Sequence, residues 1–113
     1  MVAVASYPDM VRQSLTRVAS SMRSIPKPGV ETLLIEDGAH ELFLLKRLGW
    51  HNHNRITTTV VFVRLKNGKI WIEEDATEEG IATELLVAGV PKSDIVLAFH
   101  APEERRFGEF AVG

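Results

Sequence analysis

The amino-acid sequence predicts an α+β fold in which an N-terminal helix, a four-stranded antiparallel meander and a second helix precede a short C-terminal strand or helix and a docked tail. Three observations support this class: a helical apolar spacing near the start, β-branched and aromatic stretches between short turns in the middle, and a second helical stretch that ends in glycine and proline. The chain has 113 residues, of which 45% are hydrophobic and 25% charged. This size and composition predict one globular domain over residues 1–113.

The first predicted element is a helix from Pro8 to Met22. Ser6 precedes it as an N-cap, a proline is tolerated in the first helical turn, and the carboxylate of Asp9 favours the positive end of the helix dipole. Leu15 and Val18 belong to an apolar stripe at helical spacing. We therefore expect this helix to pack its stripe against a sheet.

Four strand candidates follow the helix, and most of the connections between them are short. They are rich in β-branched and aromatic residues, and they cover Val30–Glu36, Glu41–Gly49, Arg55–Leu65 and Lys69–Glu74. The dipeptides Asp37-Gly38 and Asn67-Gly68 are strong hairpin signals because Gly and Asn accept a positive φ angle. Connections of this kind predict an antiparallel meander.

The Asn67-Gly68 turn also predicts the register of the last hairpin. A two-residue loop gives the cross-strand pairs Lys66–Lys69, Leu65–Ile70, Arg64–Trp71 and Val63–Ile72. One face then carries a dry set suited to helix packing, Val61, Val63, Leu65, Ile70 and Ile72. The other face carries an amphipathic set, Val60, Phe62, Arg64, Trp71 and Glu73. Because this second set needs cover, we expect it to form an interface with a protein partner or with a second copy of the chain.

A second helix is predicted from Glu78 to Ala88. Asp75 or Thr77 can cap it, and Gly89 followed by Pro91 ends it. The carboxylates around its start are of the type that divalent cations bind, but they lack the alternating oxygen ligands and the fixed glycine of a calcium loop. We interpret them as capping and dipole-stabilising residues, and we predict no metal and no cofactor.

The stretch from Ile81 to Phe99 superficially resembles a helix-turn-helix. Its second element would present Lys92, Ser93 and Asp94 and then continue through apolar residues, whereas a recognition helix offers basic and amide side chains near its N-terminus. This chemistry argues against DNA reading by that element. The run Ile95–Phe99 fits a helix or a fifth strand equally well, because periodicity does not resolve so short a segment.

Six further residues are weaker candidates for an interface: Trp50, His51, His53, His100, Arg105 and Arg106. His51 and His53 share one side of an extended segment and, together with His100, could supply three nitrogens to zinc. Their polar surroundings, which contain asparagine, favour a solvated turn instead. Two phenylalanines of the tail predict an apolar edge docked on the body, while Arg105 and Arg106 could meet an acidic surface or a phosphate.

Charge is divided unevenly along the chain. Residues 1–72 carry ten Lys or Arg and five Asp or Glu, which gives a net charge of +5. Residues 73–113 carry three Lys or Arg and ten Asp or Glu, which gives −7, so the whole chain has a net charge of −2. The basic residues are scattered in the sequence, which favours a mixed solvated surface over a nucleic-acid footprint.

The chain has no cysteine, which permits a reducing cytoplasm, and its short apolar amino end predicts neither a signal peptide nor a membrane span.

Several short motifs lie between Lys69 and Gly113: Thr77-Glu78, Gly80-Ile-Ala82, Ala88-Gly-Val-Pro-Lys92, Asp94-Ile-Val-Leu97, Phe99-His100 and Phe110-Ala-Val112. Together they resemble the XisI family, the excision controlling factors of cyanobacteria. Upstream, Leu48-Gly-Trp50 and Arg55 extend the resemblance over essentially the whole chain. The sequence departs from the family pattern at Ala76, Ala98, Gly108 and Thr57–Thr59, which concerns local turns.

The resemblance implies a function that the residues alone do not indicate. Proteins of that family are associated with programmed excision of a DNA element during heterocyst development, beside the XisF recombinase and a XisH protein that resembles nucleases. It therefore implies a non-enzymatic controlling factor that works through a protein partner, and a homodimer is expected. Two alternatives stay open: direct binding of DNA, and regulation or inhibition of a XisH-like partner in a role unrelated to excision.

Overall fold

Strands and helices follow one another in residues 6–113, which are the residues described by a computed structural model. The helices are α1 (Tyr7–Arg23), α2 (Ile81–Val87) and α3 (Pro102–Arg105), and a 3₁₀ turn covers Lys92–Asp94. The strands are β1 (Val30–Glu36), β2 (Leu42–His51), β3 (Asn54–Lys66), β4 (Lys69–Asp75) and β5 (Ile95–Leu97). They form one sheet in the order β1-β2-β3-β4-β5, against which α1 and α2 pack. This architecture confirms the predicted α+β class.

Helix α1 confirms the prediction for the first element and is one residue longer at each end. The hydroxyl of Ser6 accepts a hydrogen bond from the backbone N–H of Asp9 at 3.5 Å, which satisfies a free donor of the first turn. Val11, Leu15 and Ala19 are at most 1% exposed and form the layer between α1 and the sheet. Within residues 6–113, neither α1 nor the shorter helices combine the length and the apolar composition that crossing a bilayer requires.

The β3–β4 hairpin has the register that its two-residue turn predicts. Arg64 lies opposite Trp71, and the three flanking predicted pairs are also present. Asn67 and Gly68 have φ angles of 54° and 74°, the positive values that a tight hairpin turn needs. The side chains that β2, β3 and β4 bury in the core between the sheet and the helices include Phe43, Leu45, Val63, Ile70 and Ile72.

One residue of the predicted amphipathic face, Val60, lies elsewhere. Leu45 of β2 pairs with Val61 and Lys46 pairs with Thr59, so Val60 is an extra residue in β3. A bulge of this kind interrupts the strict alternation of side chains along a strand. Val60 is only 6% exposed, belongs to the core and borders a groove between α1 and α2 that Met22 also lines. Its predicted place on the exposed face is therefore wrong.

The fifth strand, one of the two states left open for residues 95–99, makes the sheet mixed, whereas the four predicted strands before it form an antiparallel meander. β5 runs parallel to β4, with Ile70 opposite Ile95 and Trp71 opposite Val96. The crossover through α2 returns the chain to the same end of the sheet, which is the connection that a parallel pair needs. Residues 95–97 are thus a strand, and the segment between α2 and this strand contains only the 3₁₀ turn at Lys92–Asp94. The helix-turn-helix alternative consequently lacks its second helix.

Helix α2 begins at Ile81, later than predicted, because Gly80 has a φ angle of 85°, outside the helical region. The carboxylate of Asp75 accepts hydrogen bonds from the backbone N–H of Ile81 at 2.6 Å and from that of Thr77 at 2.9 Å. The hydroxyl of Thr77 in turn accepts a hydrogen bond from the N–H of Gly80 at 3.1 Å. Residues 76–80 therefore form a loop held by side-chain hydrogen bonds, and the carboxylate of Asp75 caps the helix.

Candidate protein-binding face of the sheet

The sheet has a second face, opposite the core that lies against α1 and α2. Side chains alternate across a strand and paired residues share a face, so the register places Ile35, Leu44 and Phe62 in one row of this second face. Leu42 and Arg64 stand side by side in the next row. We call these five residues the open face.

The open face combines apolar composition with solvent exposure. Ile35 is 45% exposed and Leu42 is 40% exposed, while Leu44 and Phe62 are half-buried. Four apolar side chains that adjoin one another across three strands form a continuous patch, unlike scattered surface leucines. Patches of this kind with a polar margin are typical of interaction surfaces.

Arg64 supplies a charged group at the margin of this patch. Its side chain is 40% exposed, and its Nη1 lies 3.9 Å from the Oε2 atom of Glu73, at the outer limit of an ion pair. A pair at that distance in solvent contributes little to stability. The guanidinium group therefore keeps donors that can bind a carboxylate of another molecule.

Trp71 is paired with Arg64 across the hairpin, but its ring is covered by other groups. The Nζ atom of Lys66 lies 4.7 Å from the ring centroid, and the Cζ atom of Arg105 lies 5.5 Å from it. The indole N–H donates a hydrogen bond to the backbone oxygen of Lys66 at 3.0 Å. Trp71 is therefore at the edge of the open face, where the C-terminal tail begins to cover the sheet.

Arg105 holds this tail in place. Its guanidinium group donates hydrogen bonds to three backbone oxygens, those of His100 at 3.0 Å, Ala98 at 3.2 Å and Val112 at 3.3 Å. The N–H of Ala111 donates to the backbone oxygen of Ile95 at 2.9 Å, so the tail also bonds to the edge of β5. These contacts support a docked tail, but only Phe110 of the two predicted phenylalanines packs against the core, because Phe107 is 79% exposed. Arg105, predicted to be exposed, is instead engaged within the chain.

The other weaker candidates lie far from the open face or apart from one another. Arg106 is exposed and stacks over the ring of Phe107 at 5.0 Å. His51 and His53 lie at the β2–β3 turn, whereas His100 follows β5. The last residue of β5 is aligned across the sheet with Val63 of β3. Along β3, Val63 is about 30 Å from the β2–β3 turn, so the histidines are far apart. Within residues 6–113 no group of three His, Asp or Glu residues is placed to hold a metal.

The β2–β3 turn presents an aromatic side chain to solvent. Asn52 and His53 occupy its two central positions with φ angles of 49° and 67°. Trp50 is 58% exposed, and the guanidinium carbon of Arg55 lies 5.5 Å from its ring centroid. Cation–π contacts of this kind at exposed sites are weak, so the pair leaves the indole available to solvent.

The carboxylates with shifted pKa values belong to surface ion pairs. Hydrogen bonds from Arg12 hold the pKa of Glu36 below its ordinary value, and a hydrogen bond from Lys92 does the same to the pKa of Glu109. Catalytic sites shift pKa values by burying a group or by placing like charges together. These two pairs instead stabilise the charged form at the surface, which is the behaviour of structural ion pairs.

Two of three comparisons with known proteins give matches over nearly the whole chain. The sequence profile of a family described as XisI protein matches residues 1–112. The crystal structure of a XisI-like protein from Anabaena variabilis is 34% identical, covers 95% of this chain and 96% of its own, and superposes with a TM-score of 0.88. The crystal structure of the fdxN element excision controlling factor XisI from Anabaena variabilis is also 34% identical, covers 96% and 100%, and gives a TM-score of 0.73. A comparison with curated protein sequences gives no significant match.

Proposed function

Because the chain belongs to the XisI family, we propose that it is a non-enzymatic controlling factor that assists the programmed excision of a DNA element. One structural relative carries the name of an fdxN element excision controlling factor, and it is 34% identical over nearly the whole chain. The name of that relative describes a controlling factor rather than a catalyst, which supports a non-catalytic role. In this proposal the protein works in the cytoplasm, beside the DNA.

The observation that carries the mechanism is the open face, and the occupant we propose for it is a XisH-like protein. Ile35, Leu42, Leu44 and Phe62 present apolar area that a protein surface can bury. Arg64 at the margin fits a carboxylate on that partner, because its only ion pair among residues 6–113 is the long contact with Glu73. A partner with an apolar centre and an acidic margin is complementary to both features.

Co-purification with a XisH-like protein from the same genome tests the docking step. Leu42→Glu and Phe62→Glu each place a charge in the proposed apolar centre and should weaken binding by about tenfold or more. Val87→Glu is the matched control, because Val87 is 83% exposed on α2, on the other side of the sheet. Circular dichroism should give folded spectra for all three variants.

The outcomes separate the possible occupants of the open face. Retained binding in both Leu42→Glu and Phe62→Glu would overturn the assignment. If light scattering finds a wild-type dimer that Leu42→Glu dissociates, and the XisH-like protein still binds, the occupant is a second copy of the chain. Arg64→Glu should weaken the partner complex less than the apolar variants, because it affects the margin.

Excision itself is tested in cells that lack the gene for this chain. We expect the DNA element to remain in place, and we expect Val87→Glu but not Leu42→Glu to restore excision. Normal excision without the chain, combined with a stable partner complex, would refute the excision role. The same face would then regulate a XisH-like partner in another process.

A further inference from the structure

A second surface feature lies at the β1 edge of the sheet, away from the tail. The C-terminal end of α1, the connector that follows it, β1 and β2 surround a cleft of about 280 Å³. Arg23 and Lys27 line it from the helix and the connector, and Arg47 lines it from β2. Among residues 6–113, Glu31 is the one acidic residue of the lining, so the described side chains around the cleft carry a net charge of +2.

The fold brings these cations together although they are scattered in the sequence. Thr32 of β1 pairs with Arg47 of β2, and the guanidinium group of Arg23 donates a hydrogen bond to the backbone oxygen of Thr32 at 2.7 Å. The connector is fixed by the N–H of Trp50, which donates to the backbone oxygen of Gly29 at 2.9 Å. The walls of the cleft are therefore held by backbone contacts, and they do not need a ligand to form.

Arg47 contributes a guanidinium group without a charged partner to the lining of the cleft. Among the described residues its Nε atom is buried and has no hydrogen-bond partner. Within residues 6–113 no carboxylate forms an ion pair with Arg47 or with Lys27, whereas Arg12 and Arg17 both have such partners. Burying a donor of a charged group without a partner costs free energy, so an arginine in this state calls for an acceptor.

We propose that this cleft binds a phosphate group, either as inorganic phosphate or as a phosphodiester of a nucleic-acid backbone. The net charge of the lining matches a phosphate anion, and a guanidinium group can donate two parallel hydrogen bonds to its oxygens. The last turn of α1 contributes a partial negative charge of about half a unit, which three cations outweigh. The site is independent of the open face and of the partner proposed for it.

Calorimetric titration of the full chain with inorganic phosphate and with a short random-sequence DNA duplex tests this site. Lys27→Gln should weaken binding about fivefold, and Arg47→Met about tenfold or more. Glu31→Gln, which removes the one acidic residue, should strengthen binding about two- to fivefold. Arg106→Gln is the matched control, because it removes the same charge at the opposite end of the molecule and should leave binding unchanged.

Stability separates a binding role from a structural one. Arg47→Met removes an unsatisfied buried donor and should leave the free energy of unfolding unchanged or increased, while binding falls. Binding of the duplex with a salt slope that Lys27→Gln reduces by about one unit assigns the site to a nucleic-acid backbone. Binding of inorganic phosphate alone assigns it to a free anion. If neither inorganic phosphate nor the duplex binds, or if Lys27→Gln and Arg106→Gln weaken binding equally, the proposal is overturned.

Discussion

Replacing Arg105 with methionine should release the C-terminal tail from the sheet. Methionine keeps the unbranched apolar stem of the side chain, but it removes the guanidinium group and all its hydrogen bonds. Those bonds reach the backbone oxygens of His100, Ala98 and Val112 at 3.0, 3.2 and 3.3 Å. The stacking of the guanidinium group over Trp71 at 5.5 Å is lost as well.

The size of this effect follows from the number of contacts. A hydrogen bond contributes about 1 kcal/mol net, so three of them contribute about 3 kcal/mol, and the partly exposed cation–π contact adds about 0.5 kcal/mol. A loss of about 3 kcal/mol corresponds to a more than 100-fold increase in the open population of the tail. The remaining tail contacts, such as the bond from Ala111 to Ile95, should then break and reform independently of the core.

Native-state hydrogen exchange measures this opening at single amides. The N–H of Ala111 should lose protection by about 100-fold in Arg105→Met, whereas amides of β3 should keep theirs. Arg106→Met is the control, because Arg106 is exposed and contacts only the ring of Phe107 among aromatic residues in the described part of the chain. Unchanged protection of Ala111 in Arg105→Met, or an equal loss in Arg106→Met, would refute the assignment of Arg105 as the residue that holds the tail.

Three further changes test the fold around the two proposed surfaces. Gly49→Ala should destabilise the chain by about 3 kcal/mol, because a Cβ there would lie 1.8 Å from a backbone oxygen of the connector at a φ of 150°, whereas Gly38→Ala meets nothing within 4 Å and should leave Tm nearly unchanged. A hydrogen bond to Asp94 raises the pKa of Tyr7 to about 12 from 10.0; the neutral hydroxyl makes this bond, so its stabilisation is complete below pH 10 and is lost as the pH rises to 12. Urea unfolding should therefore find Tyr7→Phe less stable by about 1 kcal/mol at neutral pH, and this difference should disappear or reverse as the pH rises to 12, because the tyrosinate is repelled by Asp94; a constant difference would contradict the assignment. Asp75→Ala should cost about 1–2 kcal/mol in urea unfolding by uncapping α2, Asp75→Asn should recover part of it, and equal stability of the alanine variant would contradict the cap.

Local signals in the sequence were sufficient for the elements that local chemistry controls. The Asn67-Gly68 turn predicts the pairing of Arg64 with Trp71 because a two-residue loop leaves only one register. The spacing of Leu15 and Val18 predicts α1 because it places an apolar stripe on one helix face, and Ser6 just upstream supplies the cap. In both cases the information lies within a few residues of the structure that it determines.

The remaining features depend on partners that are distant in the sequence. The bulge at Val60 arises from the pairing of β3 with β2, so alternation within β3 alone assigns this residue to the wrong face. Leu42 and Leu44 were missed as members of the open face because β2 is apolar at successive positions, and a continuous apolar run does not reveal which side chains are covered. Phe62 could be placed because the Asn67-Gly68 turn sets the register of the nearby part of β3.

The cluster of basic residues around the cleft also depends on contacts between residues that are distant in the sequence. Arg47 stood as one of many scattered cations, and only the pairing of Thr32 with Arg47 and the position of α1 bring it beside Arg23 and Lys27. A count of charges along the sequence therefore underestimated the local positive charge at this edge of the sheet. The unsatisfied Nε atom is likewise a property of packing, which no sequence pattern indicates.

Strand β1 borders the two surfaces proposed above on opposite sides of the sheet. Ile35 belongs to the open face, whereas Thr32 pairs with Arg47 and lies on the same side of β1 as Leu34, which pairs with the buried Leu45. The cleft therefore opens on the side of α1, and a protein that covers the open face leaves it accessible. A phosphate in the cleft and a protein on the open face would then be held by one small domain at the same time. Such an arrangement gives a controlling factor a physical means of action without catalysis, because it raises the local concentration of one ligand near the other.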